Sequence, residues 1–375
     1  MTSNLFKPLK IGKAQLENRI VLAPLTRFRA DDSHVPLPFV SDYYVQRAST
    51  PGTLLITEAT FIAPHAGGMP NVPGIWNQDQ IEGWKKVVED VHAKGSLIYL
   101  QLWALGRAAN EDNLKAELGP SATVKSSSNI PIEGSTVPTP LTEDEIVEYV
   151  GLYAQAAKNA IAAGFDGVEI HGANGYLVDQ FTQDVSNNRT DKWGGSVENR
   201  ARFGLEVASA VVNAVGADRT GIRLSPYSSF QSMRMQDPVP QFSYLVQELK
   251  KLKLAYLHLV TPRVSGIFDA ETTETVDFLV DIWGKTSPVL LAGGFTPELA
   301  LKTVNEEQYK NKDIAIVFGR YFISNPDLVF KIREGIALTK YDRSTFYKNQ
   351  SIDGYTTYPF SEEFEARSRV QALKI

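Results

Sequence analysis

Apolar and polar positions follow two rhythms along this chain. Eight short apolar runs, at residues 20–23, 53–57, 97–102, 167–171, 220–224, 256–260, 289–292 and 314–318, have the length and β-branched character of strands. Between them, apolar residues recur at helical spacing over 80–94, 143–163, 197–215, 239–252 and 297–305, and Ser196 stands where the third of these needs an N-cap. Strand and helix in eightfold alternation predict an α/β chain folded as a (β/α)8 TIM barrel, one domain over residues 1–375. An open doubly wound sheet shares the local pattern, but no glycine-rich dinucleotide fingerprint follows the first strand. Two regions fall outside the repeat. The residues around Ile11, Gly12 and Lys13 read as a hairpin closing the barrel floor. Residues 108–141, rich in Ser, Pro and Asn, form an excursion after the third strand, expected over the catalytic face as a lid or capping subdomain.

Composition narrows the chemistry. The 375 residues carry a formal charge of -5, and no Lys/Arg block interleaves with aromatics, so neither nucleic acid nor an anionic membrane is an expected partner. The absence of cysteine excludes disulfides, thiolate nucleophiles, thiolate zinc sites and iron–sulfur clusters, and no metal site is read elsewhere. No apolar run is long enough to cross a bilayer, and residues 1–6 lack the build of a secretory signal, which makes the cytoplasm the expected compartment. Oligomeric state stays open, a homodimer included.

Candidate chemistry gathers at the C-terminal ends of the strands, where barrels place it. The fourth run delivers His171, with Asn174 on the following turn and Tyr176 two residues later. His and Asn can both donate to one carbonyl oxygen, and a Tyr hydroxyl can deliver a proton beside it. A packed histidine before an ordinary Asn-Gly turn is the plainer alternative. Arg223 lies two residues from Gly221, so strand parity points its guanidinium toward the barrel mouth. After the seventh and eighth runs, Gly293, Gly294, Gly319 and Arg320 match the recurrent phosphate site of this fold. With Gln101 and Thr26 able to read amide-like ring edges, the implied ligand is planar and phosphate-tailed, and flavin mononucleotide (FMN) fits. A rival reading is a glycoside hydrolase using Glu58 and Glu169 as its carboxylate pair. Glu169 lies two residues deeper than His171, which suits a supporting role or a pairing with a buried base. A third reading is a non-catalytic barrel used for binding.

Spaced motifs run in order across nearly the whole chain: Ala23-Pro24-Leu25-Thr26-Arg27, Ile56-Thr57-Glu58-Ala59, Gln101-Leu102-Trp103, His171-Gly172-Ala173-Asn174-Gly175-Tyr176, Asp179-Gln180-Phe181, Trp193-Gly194-Gly195-Ser196, Phe318-Gly319-Arg320 and Asn325-Pro326-Asp327-Leu328. In these the chain resembles the Old Yellow Enzyme family of flavin-dependent ene-reductases. The resemblance implies an FMN-bearing barrel in which NADPH reduces the flavin and the flavin reduces electron-poor alkenes, namely α,β-unsaturated carbonyl or nitro compounds, in ping-pong order. It places Thr26 at the flavin O4 and N5 edge, Gln101 at the pyrimidine edge and Arg223 by N1 and O2. Pro24 and Ala59 would touch the ring through backbone groups, and Gly293, Gly294, Gly319 and Arg320 would hold the phosphate. His171 and Asn174 would clamp the substrate oxygen while Tyr176 protonates the α-carbon. Thr26, where some bacterial relatives carry cysteine, suggests the yeast, plant and fungal branch. Two motifs, Val35-Pro36-Leu37-Pro38 and Leu141-Thr142-Glu143-Asp144-Glu145-Ile146, resemble filamentous-fungal members, ergot-alkaloid reductases among them. Ala59 stands where the yeast relatives have Gly, and Met69 where they have an aromatic. With Met69, Phe268 and Tyr358 are the expected further walls of the substrate pocket.

Overall fold

The computed structural model describes residues 3–266, 268–270 and 272–372, without the side chains of Phe268, Gln371 and Ala372. Eight parallel strands, β1 (Ile20–Leu22), β2 (Leu54–Ile56), β3 (Leu97–Trp103), β4 (Gly167–Gly172), β5 (Thr220–Leu224), β6 (Tyr256–Val260), β7 (Val289–Ala292) and β8 (Ile314–Phe318), pair in sequence order. The ring closes where β8 pairs with β1, as Phe318 faces Leu22. Outside it lie the helices α1 (Phe39–Arg47), α2 (Gln78–His92), α3 (Glu143–Ala162), α4 (Val197–Val215), α5 (Val239–Lys251), α6 (Asp277–Trp283), α7 (Pro297–Thr303) and α8 (Leu328–Glu334). This is the expected (β/α)8 barrel.

Side-chain alternation on each strand splits the apolar residues into two layers. Ile20, Leu22, Leu55, Ile98, Leu100, Val168, Ile170, Ile222, Leu257 and Ile316 face outward and form one cluster with the helices. Val21, Leu54, Ile56, Leu290, Ala292, Ala315 and Val317 face inward and form another, joined by Leu9, Ile11 and Leu16. Those last three come from the N-terminal hairpin Leu9–Ile11 and Ala14–Leu16, so the hairpin does seal the barrel floor. The inward positions of β3 to β6 differ in character. They carry Tyr99 and Tyr256 low in the barrel, then Gln101, Glu169, Arg223 and His258 above them. Gly167 and Gly221 make room for the two tyrosines: a Cβ at either position would run into the ring of Tyr99 or Tyr256.

Helix starts follow cap chemistry. Asn77 with Gln80, and Thr142 with Glu145, form full capping boxes ahead of α2 and α3, and Ser196 Oγ accepts the Asn199 N–H at 3.2 Å ahead of α4. Helix α2 begins two residues before its apolar period because Gln80 is the third residue of the helix, closing the box on Asn77, rather than the first. Helices α1, α6 and α8 span only 9, 7 and 7 residues, too short for a periodic signal to stand out.

The excursion after β3 contains a helix, Glu111–Leu118, and the short paired strands Lys125–Ser126 and Thr139–Pro140. Ser126 Oγ donates to Gln180 Oε1 at 2.8 Å, which ties it to the loop after β4. No helix among the described residues is long and apolar enough to cross a membrane.

Candidate active site

A cavity of about 380 Å³ opens at the C-terminal ends of the strands. Thr26, Asn174, Arg223, Gly293, Gly294, Gly319 and Arg320 all line it, which gathers expectations spread over nearly 300 residues of chain into one place. None of the lining residues comes from the 108–141 excursion.

The turn after β4 is held rigidly. Asn174 sits in the left-handed region at φ 56, a conformation Asn tolerates better than most residues. Its N–H donates to Ser225 Oγ at 2.7 Å, and its carbonyl accepts from Gln231 Nε2 at 3.0 Å. Asp179 accepts the Gly175 N–H at 2.9 Å, and Gln180 Nε2 donates to the Gly175 carbonyl at 2.7 Å. Tyr176 is thereby set edge-on to both Trp103, at 4.7 Å between centroids, and His171, at 4.9 Å.

Protonation follows from burial and neighbours. Burial, with the Arg223 cation next, holds the His171 pKa well below the usual histidine value, so the ring is neutral. Its Nδ1 accepts the Ala173 N–H at 3.4 Å, which leaves Nε2 as the nitrogen carrying hydrogen. Burial also lifts the Tyr176 hydroxyl far above the ordinary phenol range. Both side chains are therefore donors at neutral pH.

Beneath them, Glu169 on β4 accepts from Gln101 Nε2 at 2.7 Å and from His258 Nδ1 at 2.8 Å. Burial pushes the Glu169 carboxyl up, but His258, Arg223 and Gln101 together hold it below its ordinary value, so it is ionised. Arg223 Nε is buried and has no hydrogen-bond partner in the protein. A buried, unpaired guanidinium nitrogen costs stability unless a ligand completes it.

Glu58 is equally committed: it accepts the Arg27 N–H at 3.1 Å, and burial raises its pKa to about 7. Glu58 and Glu169 are both buried and both accept hydrogen bonds from within the protein, so the pair needed for a glycoside hydrolase is committed to internal partners.

Other expectations divide. Ala59 and Met69 pack in one apolar cluster with Trp103 and Tyr176. Pro24 lies between Ala23 and Leu25, both of which line the cavity. Arg320 lines it too, held in a two-pronged pair with Asp269 that includes a 3.1 Å bond. The side chain of Phe268 lies outside the described residues. Tyr358 is not among the residues that line the cavity: its hydroxyl accepts the Asp342 N–H at 3.0 Å in a C-terminal loop, and from that region Tyr341 and Tyr347 reach the cavity wall. Sequence reading also missed Gln231, whose left-handed φ of 60 carries no local signature, and Arg263, which stacks over Phe295 and donates to the Gly293 carbonyl at 3.1 Å. Asp179 and Gln180, three and four residues after Tyr176, were readable as partners of the turn.

The residues fit FMN. Arg223, whose Nε has no partner in the protein, lines the cavity, the Gln101 carbonyl oxygen is left for a ring N–H, and Gly293 and Gly294, at φ 112 and 65, form a backbone cradle that side chains would strain.

Comparison with known proteins agrees. The family model for the NADH:flavin oxidoreductase / NADH oxidase family matches residues 4–339. The chain is 56% identical to the chanoclavine-I aldehyde reductase of Penicillium roqueforti over 97% of this chain and 98% of that one. It is 53% identical to an NADP-dependent oxidoreductase of Aspergillus flavus over the same shares. It is 52% identical to a protein of Epichloe festucae var. lolii named a probable inactive reductase, over 99% of each chain. Among solved structures, the Old Yellow Enzyme from Pichia sp. superposes with a TM-score of 0.87 at 42% identity, over 96% of this chain and 94% of that one. With the barrel, the donor set and the glycine cradle in place, the chain belongs to the NADH:flavin oxidoreductase / NADH oxidase family, as an FMN-dependent oxidoreductase of the Old Yellow Enzyme type.

Proposed function

We propose that this protein uses NADPH to reduce the activated C=C bond of α,β-unsaturated carbonyl or nitro compounds. The observation that carries the proposal is the donor group built around the turn after β4: Asn174, which lines the cavity on its braced turn, with neutral His171 and protonated Tyr176 packed edge to face behind it. FMN bound there would accept a hydride from the nicotinamide and pass it to the β-carbon of the alkene. His171 Nε2 and the Asn174 amide donate to the carbonyl or nitro oxygen and stabilise the negative charge that develops on it. Tyr176 gives its proton to the α-carbon. Arg223 offers its unpaired Nε to the pyrimidine edge of the cofactor, Thr26 its hydroxyl, and the glycines at the ends of β7 and β8 their amides to the phosphate. A single cavity serving nicotinamide and alkene in turn supports a ping-pong order. The NADP-dependent relative supports the choice of nicotinamide, and the chanoclavine-I aldehyde reductase supports an aldehyde among the substrates.

Several relatives at 52% identity are named as probable inactive enzymes, so the deciding experiment is turnover itself. The purified protein, reconstituted with FMN, is reduced anaerobically by NADPH or NADH and then mixed with enones, enals and nitroalkenes. Reduction by NADPH followed by alkene-dependent reoxidation supports the proposal. Bound FMN that no alkene reoxidises would overturn it.

A further inference from the structure

We infer that Glu169, which touches neither cavity nor substrate, is a positioning residue that sets the electron affinity of the bound cofactor from one layer below it. The inference rests on the FMN site described above. Gln101 and Glu169 are register partners across β3 and β4, and Glu169 and Gly221 across β4 and β5. Because Gly221 has no side chain, the inward space beside Glu169 on β5 is left to its neighbours, and Arg223 stands one inward position higher.

Two consequences follow from a carboxylate in that place. First, a carboxylate only accepts, so the Gln101 amide must turn its NH2 toward Glu169 and its carbonyl oxygen toward the mouth. A ring N–H of the cofactor then meets an acceptor, whereas a flipped amide would set donor against donor. Second, the Glu169 charge offsets the Arg223 cation. Each is the leading opposite charge on the other's balance apart from His258, with Glu169 fully buried and Arg223 half-buried at the cavity wall. Two-electron reduction puts negative charge on the cofactor edge that Arg223 faces, so a fully uncompensated cation there would favour the reduced form. Glu169 restrains that preference. His258 completes the group: it donates through Nδ1 to the second carboxylate oxygen, and its own Nε2 is buried without a partner.

The test compares the two-electron potential of FMN bound to the wild-type, Glu169→Gln, Glu169→Asp and His258→Gln proteins, by anaerobic dye-linked titration, together with FMN affinity. Glu169→Gln should keep FMN and shift the potential to more positive values, equivalent to about a tenfold tighter hold on reduced relative to oxidised FMN. Glu169→Asp, which keeps the charge, should recover most of the wild-type potential, and His258→Gln should shift it much less than Glu169→Gln. Should Glu169→Gln fail to fold, the wild-type protein still provides a reading. The 15N-labelled side-chain amide of Gln101, its NH2 held by Glu169, should exchange slowly with solvent both before and after FMN binds. A Glu169→Gln protein with wild-type potential, equal shifts in Glu169→Gln and His258→Gln, or a Gln101 side-chain NH2 that exchanges rapidly in the FMN-bound protein would each overturn the inference. Failure of the wild-type protein to bind FMN would instead strike the underlying FMN site.

Discussion

Tyr176 is a side chain whose loss separates proton delivery from every other function of the site. Tyr176→Phe keeps the ring that packs on Trp103 and His171, so fold, FMN content and reduction by NADPH should hold. Reoxidation by enones should slow by about 10²–10⁴, the usual worth of a general acid, while nitroalkenes suffer less because their anion can leave and be protonated by water. Stopped-flow traces of the two half-reactions decide this, and equal enone rates in both proteins would remove Tyr176 from the role. The state of His171 is open to direct inspection. Its ring should remain neutral with hydrogen on Nε2 throughout neutral pH, and 15N correlation spectra showing a titration near 6.5 would contradict the burial argument. Replacing both His171 and Asn174 with Ala should abolish tight binding of phenols, whose oxygen imitates the charge the clamp stabilises. Arg223→Met removes the cation itself and should move the FMN potential to more negative values, the opposite sense from Glu169→Gln.

At the scale of elements, strands β4 and β5 work because of what they omit. Gly167 and Gly221 sit where any Cβ would enter an aromatic ring, and the resulting space lets Tyr99 and Tyr256 fill the lower barrel. Gly221→Ala should therefore cost about 1–3 kcal/mol through overpacking. Thermal melts would show it, and the same change made beside Tyr256→Leu should cost less. An equal loss in both backgrounds would mean that the ring is not the obstacle. The strands themselves were legible as short, mainly apolar runs, broken within β3 to β6 by Gln101, Glu169, Arg223 and His258, and α2 to α5 and α7 because a periodic face or a cap marks them. Helices α1, α6 and α8 were not singled out. A stretch of two turns carries too few apolar positions to display a period, and its helicity comes from packing on the barrel.

Across the whole molecule, buried acids should leave a mark on stability against pH. Burial raises the pKa of Asp179 from an ordinary 3.8, and of Glu58 from 4.5, to about 7 in each case. The folded state thus holds protons that the unfolded chain has released. The stability these acids contribute is present in full below their ordinary values and is lost as pH rises through about 7, on the order of 3 kcal/mol each. His171 and His258, buried neutral, tilt the balance the other way as pH rises toward 6.5, so the informative quantity is a difference. Denaturant unfolding of wild type and Asp179→Asn should show the wild-type advantage shrinking between about pH 4 and 7. A constant difference would mean that Asp179 is ionised throughout.

The amino-acid sequence by itself determined the order of strands and helices, the hairpin under the barrel, and the donor set at the strand ends. Those features are local: alternation, caps, glycines and the parity of Arg223 can be read within a few neighbouring residues. The tertiary structure alone decided which half of the barrel interior is polar, that Glu169 answers both Gln101, 68 residues away, and His258, 89 residues away, and that Tyr341 and Tyr347 rather than Tyr358 reach the cavity wall. It also decided that Gln231 braces the Asn174 turn across 57 residues. No periodicity records such partnerships, because they arise from ring closure, which brings strands distant in sequence to one level of one wall. A short-range pattern fixes which way a side chain points, and only the closed barrel fixes what it meets.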